Sequence, residues 1–498
     1  MELETTNMKR TTYSLILPTF KKVMIKITRA KRIENTLFKC VFITNVSQLT
    51  QFDFLLPEDI ALITSEIEAG NKQIVKQGRA GFAVMFCDAL KNKEAARKAG
   101  VSMFKQVNSL QISSVAFVFA EELDDADCFL EGAVLSSYQF LKYFKAETKK
   151  EKQYSLQHIQ VLDMVITASQ LLECEACWEA VKVARDLVNE PQSYLNAVQY
   201  SLDMQQLGKE FGFDVEVFEK SKIESLKMGG LLAVNQGSVV PPTFNILSYK
   251  GVGAKNEKPL ALVGKGIVYD TGGLSLKPTA NSMDLMKCDM GGSAAVVGAM
   301  CAIAKAKLPV NVVAFIPATD NRPGGDAYTP GDVVVMHNGL TVEVKNTDAE
   351  GRMVLADAMS YAENYEPELL IELATLTGSA VAAIGAEAAI AMGTDNEAIT
   401  LLEQVGEQNH ERIVPFPFWD EYDEQLKSDI ADLKNLGGPT AGAITAGKFL
   451  ANFTTAPYVH IDIAGPAFID AESAYRTKGG TGYGVRLLFD FIKERYHG

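Results

Sequence analysis

Short runs of β-branched and aromatic residues alternate with longer runs of helical spacing through the first 150 residues of the chain. Four short runs predict strands, because such side chains favour the pleated backbone: VMIKIT, LFKCVFI, GFAVMFC and SSVAFVFA. Two longer stretches, NKEAARKAGVSMFKQVNSL and the run around FLEGAVLSSYQFLKYF, predict helices. We therefore expect residues 1–150 to form an α/β domain.

A charged stretch, KAETKKEKQ at residues 145–153, follows these elements. Such a stretch is hard to bury and indicates a domain boundary. The run from Leu156 to Val188 predicts a single helix that stops before Pro191, because proline disfavours the helical conformation in the residue before it. We expect residues 151–191 to connect the two domains.

A second alternation of strands and helices runs over residues 192–498. Strands are predicted for FDVEVF, FNILSYK, PLALVGKGI, LPVNVVAFIPA, LLIELATLTG and YVHIDIAG. Several of these are nearly continuous apolar runs, which are typical of strands buried on both faces. Helices are predicted for GGSAAVVGAMCAIAKAK, GRMVLADAMSYAENY and AGAITAGKFLANF. This order predicts a larger C-terminal α/β domain with a mostly parallel central sheet covered by helices.

Length and charge narrow the class of protein. A chain of 498 residues with 47% hydrophobic and 22% charged residues is expected to form two or three globular domains. The formal net charge of −14 argues against nucleic-acid binding by the whole surface, without excluding a local basic patch. The sequence contains no run of about 18 apolar residues, so we expect no membrane span. Residues 1–22 lack the pattern of a signal peptide.

The cysteines are odd in number and scattered, which does not suit a disulfide framework. We therefore expect a reduced, cytoplasmic protein. Cys174 and Cys177 form a CxxC pair inside the predicted helix, but no second pair or histidine cluster completes a zinc site, so we expect them to pack in the core. The full set is Cys40, Cys87, Cys128, Cys174, Cys177, Cys288 and Cys301.

Charged residues collect at the predicted strand ends and helix starts of two segments. The first is GKGIVYDTGGLSLKPTANSMDLMKCDMGG, at residues 264–292, and the second is NTDAEGR, at residues 346–352. Ligands bind beyond the carboxyl ends of strands in such sheets. The charged residues concerned are Lys265, Asp270, Lys277, Asp289, Asp348, Glu350 and Arg352.

Each of these residues has an ordinary structural interpretation when taken alone, as a turn residue, a helix cap or a solvated charge. Taken together, four carboxylates in one cleft would repel one another and would need compensating positive charge. A pair of divalent cations supplies that charge and suits the activation of water and the polarisation of a carbonyl. Arg352, near the start of a predicted helix, would then hold an anion.

Motifs of competing chemistries are missing from the sequence. A near match to a phosphate-binding loop at residues 442–448 is followed by Phe449 where a hydroxyl residue is required, and neither HExxH nor GxSxG occurs. The five histidines are dispersed. We interpret His460, in an apolar strand, as a hydrogen-bonded core residue, and His337, before the turn signal Asn338-Gly339, as structural.

The chain resembles the leucyl aminopeptidases, a family of cytosolic exopeptidases that use two metal ions. NTDAEGR followed by MVLADA resembles the family signature, and residues 264–292 resemble its other metal-binding stretch. Further similar stretches occur in the same order: RDLVNEP, MGGLLAVNQGS, DIADLKN, AGAITAGKFL and HIDIAG. The resemblance covers roughly residues 180–498, while the first domain is similar only in size and α/β character.

The resemblance implies a role for each charged residue. Lys265, Asp270, Asp289 and Glu350 resemble the ligands of a tighter metal site. Asp270, Asp348 and Glu350 resemble those of a more exchangeable site, to which Asp348 also offers its carbonyl. Lys277 and Arg352 match the two catalytic cations, and Arg352 would hold a bicarbonate that acts as the general base. A lysine can bind a metal only as the neutral amine, a form that two nearby dications would favour.

The resemblance also implies a pocket for the N-terminal side chain of the substrate. The matching residues are Met286, Thr375, Gly378, Ala464 and Ala467. These apolar or small residues suit leucine or methionine, and Ala467 is smaller than the methionine often found there in relatives, which would widen the pocket.

We therefore predict a cytosolic, metal-dependent aminopeptidase, a hydrolase and protease that acts on peptides and amino-acid amides. Its two metal ions would be Zn²⁺ or Mn²⁺, although such ligands also suit Co²⁺. As in the family, a homohexamer is expected, with no membrane partner. A DNA-binding role, known for some bacterial relatives, is the alternative, but the basic runs at residues 21–32 and 145–152 are short.

Overall fold

The first sheet is built from the short apolar runs at the beginning of the chain. The computed structural model describes residues 24–34, 36–76, 81–86, 92–120 and 125–497. Its first strands are β1 (Lys26–Ala30), β2 (Phe38–Ile43), β3 (Gln73–Lys76), β4 (Phe82–Phe86), β5 (Ser114–Phe119) and β6 (His158–Leu162). In the described part, they form one sheet in the order β1-β6-β5-β2-β4-β3, in which only β3 pairs antiparallel.

Helices cover this sheet on both sides and confirm the α/β character of the first domain. They are α1 (Pro57–Glu68), α2 (Lys93–Ser109) and α3 (Ala126–Ser136), with a 3-10 helix at Val46–Gln51. The charged stretch forms a further helix, α4 (Ala146–Lys152), which has no buried residue. The helix predicted around residues 129–144 ends at Ser136. Residues 1–22, Val23 and Cys87, on which parts of the predictions fell, lie outside the described residues.

The single helix predicted from Leu156 to Val188 is wrong in its first part. HIQVL forms β6, which is buried between β1 and β5, because parallel partners on both sides complete its backbone hydrogen bonds. Helix α5 (Ala168–Asn189) begins only after a capping box, in which Thr167 Oγ1 accepts from the Gln170 N–H and the Gln170 amide oxygen accepts from the Thr167 N–H. Its end before Pro191 is as predicted.

The remaining strands build the large second sheet and two small ones. They are β7 (Asp214–Phe218), β8 (Thr243–Lys250), β9 (Leu260–Gly264), β10 (Gly266–Asp270), β11 (Asn311–Asn321), β12 (Val333–Val335), β13 (Thr341–Glu343), β14 (Leu369–Ala374), β15 (Ala389–Gly393), β16 (Ile413–Pro415), β17 (Leu433–Lys434), β18 (Tyr458–Asp462), β19 (Phe468–Ile469) and β20 (Gly479–Gly480). The large sheet has the order β16-β15-β18-β14-β9-β11-β8-β7, and β10 also pairs with β11. The five neighbours β18, β14, β9, β11 and β10 are mutually parallel.

The helices of the second domain are α6 (Ala197–Phe211), α7 (Lys220–Ser225), α8 (Gly229–Asn235), α9 (Gly291–Ala306), α10 (Glu350–Ala362), α11 (Gly378–Ile384), α12 (Asn396–Asn409), α13 (Gly442–Ala451) and α14 (Val485–His497), with 3-10 helices at Met283–Cys288, Glu363–Tyr365 and Asp420–Leu426. Among the described helices, none combines the length and apolar composition needed to cross a membrane.

Both faces of the central sheet are buried, which explains its continuous apolar strands. In β9, Leu260 and Leu262 pack into the core on the α9 side, whereas Ala261 and Val263 pack into the core on the α10 side. Successive residues of a strand point to opposite faces, so each face needs its own apolar set. The α9-side core also continues through α5 into the first domain, so α5 joins the two domains by packing as well as by sequence.

Parallel strands end at the same edge of a sheet, and this edge positions the charged residues. The last residues of β9, β10, β11, β14 and β18 meet there. Helices α9 and α10 begin at the same edge and bring their first turns with them.

Candidate active site

Three buried carboxylates converge where β10 ends and where α9 and α10 begin. Asp270 is the last residue of β10, Asp289 precedes α9, and Glu350 is the first residue of α10. One carboxylate oxygen from each lies within 4.8 Å of the others. All three side chains are almost inaccessible to solvent. Their charges therefore act on one another through a poorly screened interior.

Lys265, between β9 and β10, lies against two of these carboxylates. Its Nζ is 2.8 Å from Asp289 Oδ2 and 3.0 Å from Glu350 Oε1, and it donates to the Thr375 carbonyl at 2.9 Å. Helix α10 can approach this side chain only because residue 351 is glycine. A Cβ on Gly351 would lie 2.5 Å from Lys265 Cε, well inside van der Waals contact.

Lys277 and Asp348 complete the charged cluster on its outer side. Lys277 Nζ lies 2.9 Å from Asp270 Oδ2 and 2.5 Å from Asp348 Oδ1. The turn that returns the chain to Lys277 passes through Gly272 and Gly273, whose φ angles are 84° and 62°. Only glycine adopts such angles readily, so the two glycines of the first segment are required by this reversal.

The interior shifts the acid–base properties of these groups. Burial, together with the neighbouring Asp270, raises the pKa of Glu350 to about 8. Burial also raises the pKa of Asp289 to about 6 and that of Asp348 above its usual value. Burial alone would lower the pKa of Lys265, but the Asp289 and Glu350 carboxylates outweigh it and raise that pKa. The carboxylates thus resist simultaneous ionisation, and further positive charge would stabilise their charged forms.

The donor set fits divalent cations. Within the described part of the chain, Glu350 Oε2 is buried and has no hydrogen-bond partner, although a buried carboxylate oxygen normally has one. Three carboxylates within 4.8 Å offer the oxygen ligands that such ions require. Lys265 would join them only as the neutral amine, so metal binding there would release its proton.

Arg352 lies in the first turn of α10 and is also buried. Its Nη1 donates to the Asn435 carbonyl at 2.8 Å, while Nε has no hydrogen-bond partner among the described residues. Burial lowers the pKa of this guanidinium to about 10, so it still carries its charge at neutral pH. A buried, charged and incompletely bonded guanidinium is suited to holding an anion.

Sequence reasoning missed several residues that hold these side chains in place. Asn321, the last residue of β11, donates from Nδ2 to Asp270 Oδ1 at 2.8 Å and to the Thr347 carbonyl at 3.0 Å. The Tyr328 hydroxyl donates to the same carbonyl at 2.9 Å. The position of Asn321 at a strand end could have indicated its role, whereas nothing in the local sequence marks Tyr328.

The predicted pocket residues lie around the first turns of α9 and α11. Thr375 Oγ1 donates to Asp289 Oδ1 at 2.9 Å, so its hydroxyl is occupied. A Cβ built on Gly291 would lie 3.0 Å from Thr375 Cγ2 and 3.3 Å from Ala467 Cβ, so these residues adjoin. These three buried residues lie together beside Asp289.

The other three predicted pocket residues lie on neighbouring segments. Met286 is half-buried in the 3-10 helix before Asp289. Gly378 is the exposed first residue of α11, with open space where a Cβ would lie. Ala464 follows β18 and shares a contact with the Thr375 loop, since the N–H groups of Ala464 and Leu376 both donate to Asp462 Oδ1.

The remaining candidate groups have structural surroundings. His460 is fully buried and pairs through Nδ1 with Glu372, its direct neighbour across β14 and β18, which confirms it as a hydrogen-bonded core residue. His337 lies in the turn between β12 and β13, where Nδ1 bonds the Ser360 hydroxyl at 2.7 Å. Burial raises the thiol pKa of both Cys174 and Cys177, as expected of packed cysteines.

A cluster of buried carboxylates and a lysine at the carboxyl edge of an α/β sheet fits a metal-dependent hydrolase. Residues 182–489 match the catalytic domain of the cytosol aminopeptidase family, and the chain belongs to that family. It is therefore a metal-dependent peptidase. This confirms the resemblance drawn from the sequence.

Relatives extend the similarity beyond the catalytic domain. A probable cytosol aminopeptidase of Chlorobium limicola is 39% identical over 503 residues, which cover 95% of this chain and 99% of that protein. One from Chlorobaculum tepidum is 44% identical over 81% of this chain and 84% of its own length. The prediction that sequence similarity is confined to residues 180–498 was therefore too narrow.

A solved structure shows the same architecture. The bottromycin maturation enzyme BotP in complex with Mn is 28% identical, covers 93% of this chain and all of its own, and superposes with a TM-score of 0.80. The shared fold thus extends over most of the chain and is not confined to the catalytic domain.

Proposed function

We propose that this protein is a leucyl aminopeptidase that uses two divalent cations to release N-terminal amino acids from peptides and amino-acid amides. The observation that supports this most directly is the convergence of Asp270, Asp289 and Glu350 within 4.8 Å, with Lys265 against them. Membership of the cytosol aminopeptidase family supplies the reaction class.

The charged residues divide into two ligand sets. Lys265, Asp270, Asp289 and Glu350 would hold one cation, and Asp270, Asp348 and Glu350 the other. The second set also includes the Asp348 carbonyl. When bound, the cations would supply Lewis acidity for the peptide carbonyl and for water. The Mn complex of the similar BotP structure favours Mn²⁺ over Zn²⁺ as the first metal to test.

The two positively charged side chains that are not metal ligands, Lys277 and Arg352, would act on the substrate. Acidic neighbours raise the pKa of Lys277 against the opposing effect of burial, so it stays protonated and can stabilise the oxyanion that develops during peptide hydrolysis. Arg352 would hold a bicarbonate, because the planar guanidinium binds a planar oxyanion through paired hydrogen bonds. That anion would serve as general base.

The predicted pocket beside Thr375 would favour substrates with an apolar N-terminal residue. The Thr375 hydroxyl is bonded to Asp289, so what remains for the substrate is its methyl group, beside Gly291 and Ala467. A surface without free polar groups favours leucine or methionine over charged side chains. The small Ala467 leaves room for larger residues as well.

The oligomeric state and the cellular location are proposed from membership of the family. We propose a homohexamer that acts on peptides in the cytoplasm. The DNA-binding alternative gains no support, because the named relatives are aminopeptidases.

The test is hydrolysis of leucine p-nitroanilide by protein that is stripped of metal and then refilled with Mn²⁺ or Zn²⁺. We expect activity to disappear on stripping, to return with metal and to be absent from Glu350→Ala. Glu363→Ala is the matched control, because Glu363 lies just beyond the other end of α10 and bonds Thr454 and Thr455 instead. Metal-independent activity, or an active Glu350→Ala variant, would contradict the proposal.

A further inference from the structure

Asn435 is a fully buried residue that directly follows strand β17. Its N–H donates to the Glu343 carbonyl at 2.9 Å and so continues the pairing of β13 with β17. Its side chain then extends that pairing. Oδ1 accepts from the Lys345 N–H at 2.8 Å, and Nδ2 donates to the Asn346 carbonyl at 2.8 Å. The side-chain amide therefore holds the chain just before Asp348, as another strand residue would.

The main-chain carbonyl of Asn435 contacts Arg352, one of the two predicted catalytic residues. It accepts from Arg352 Nη1 at 2.8 Å. In the described part of the chain, Arg352 Nε has no hydrogen-bond partner, so this contact anchors one end of the guanidinium and leaves another donor free. One residue thus holds both ends of the segment from Lys345 to Arg352.

We infer that Asn435 is a positioning residue that fixes the Arg352 guanidinium relative to the Asp348 loop. The inference rests on the proposed function, in which an anion held by Arg352 must lie over the groups that bind metal. Helix α10 places Arg352 near the cluster. Asn435 adds a second link, because its carbonyl bonds the guanidinium and its side chain bonds the loop that carries Asp348. Misplacement of a reacting group by about 1 Å can reduce the rate by about 100-fold.

The opposite side of the loop is held independently, so the loss of the Asn435 amide should act locally. Thr347 Oγ1 donates to the Gly272 carbonyl at 2.7 Å, and the Thr347 carbonyl accepts from Asn321 and Tyr328. These bonds do not involve Asn435. A variant at this position should therefore fold and keep its metal ligands.

The test compares Asn435→Ala and Asn435→Asp with the wild type in three measurements: metal content, activity against bicarbonate concentration, and hydrogen exchange of the backbone amides. The aspartate keeps the acceptor for Lys345, but it replaces the donor to Asn346 with a carboxylate oxygen and adds a buried negative charge. We expect metal content and KM close to wild type, a fall in kcat of about 10-fold to 100-fold, and a rise of about tenfold in the half-saturating bicarbonate concentration. Amides at residues 345–346 should exchange faster in Asn435→Ala, also in the metal-free protein, because both donate to the Asn435 Oδ1 that alanine removes.

Asn256→Ala is the matched control. Asn256 is a buried asparagine that makes the same paired contact elsewhere, with Nδ2 donating to the Asn311 carbonyl and Oδ1 accepting from the Asn311 N–H, both at 2.8 Å. It lies near the start of β11, at the far end of that strand from the site. Its loss should lower stability to a similar extent without changing kcat or the bicarbonate dependence.

Two results would overturn the inference. One is an Asn435→Ala variant with the kcat and bicarbonate dependence of Asn256→Ala. The other is faster exchange spread evenly over the catalytic domain, which would indicate general destabilisation. A wild type without metal-dependent activity would refute the proposed function instead, and exchange at residues 345–346 would still decide whether Asn435 holds the loop.

Discussion

Replacing Gly351 by alanine tests whether the approach of α10 to Lys265 is part of the site. Gly→Ala in a helix normally stabilises a protein by up to about 1 kcal/mol. Here the new Cβ would lie 2.5 Å from Lys265 Cε and 2.8 Å from Nζ. Carbon atoms in contact prefer about 3.5 Å or more, so the lysine side chain would have to move by about 1 Å.

Such a movement would break contacts that hold Lys265. Its Nζ lies 2.8 to 3.0 Å from its partners on Asp289, Glu350 and Thr375, and an added ångström exceeds hydrogen-bonding distance. Losing one hydrogen bond to a charged group costs about 1.5–3 kcal/mol. This loss exceeds the gain in helix propensity, so we expect a net destabilisation of about 0.5–2 kcal/mol in the metal-free protein.

The assay is calorimetric titration of metal-free protein with Mn²⁺, together with thermal unfolding and kcat/KM. Gly351→Ala should bind metal about 10-fold to 100-fold more weakly and unfold at a lower temperature. Gly378→Ala is the matched control for metal affinity and stability. It also lies in the first turn of a helix, and within the described part of the chain its added Cβ meets no atom within 4 Å beyond its own helix and chain neighbours. If Gly351→Ala bound metal and unfolded like wild type, Lys265 would not be packed against α10 as described.

Three further predictions concern the same cluster. Thr375→Val keeps the shape but removes the bond to Asp289, so metal affinity should fall about 10-fold, as measured by the same titration; unchanged affinity would show that this bond is dispensable. Ala467→Met should fill the space beside Thr375 and Gly291, so kcat/KM should fall more for phenylalanine than for leucine p-nitroanilide; an equal fall would exclude this position from specificity. Metal affinity should rise between pH 6 and pH 8, because the pKa values of Asp289 and Glu350 are raised to about 6 and about 8 and binding must displace their protons. Calorimetry in buffers of different ionisation enthalpy measures those protons, and pH-independent affinity would refute the assignment.

Local sequence was sufficient for most elements of the catalytic domain. The runs predicted as strands at residues 244–250, 259–267 and 369–378 correspond to β8, β9 and β14, because a strand buried on both faces is apolar along its whole length. The predicted single strand over residues 259–267 is divided at Lys265, after which β10 begins, and the third strand ends at Ala374. The helices predicted to begin at residues 291 and 351 begin at Gly291 and Glu350. HIQVL is predicted as part of a helix but forms strand β6, because its local sequence does not distinguish the two. Its short apolar run suits a helix or a strand, and only pairing with β1 and β5 selects the strand.

The candidate site also combines features that the sequence predicts with features that only the tertiary structure shows. The charged residues chosen from the sequence come together, with direct contacts joining Lys265 to Asp289 and Glu350, and Lys277 to Asp270 and Asp348. Their carboxylates were identifiable because metal chemistry requires them and because strand ends meet at one edge. Their individual roles as ligands stay predictions.

Sequence by itself determined the alternation of elements, the edge at which chemistry occurs and the charged residues found there, because each of these is encoded within a short run of the chain. Tertiary structure alone decided which residues support that chemistry. Gly351 must be glycine because Lys265, distant in sequence, passes over it. Asn435 meets Arg352 and Asn346 only because β17 pairs with β13. Such contacts depend on which distant strands lie side by side in the folded sheet, and no local pattern of hydrophobic and polar residues specifies that arrangement.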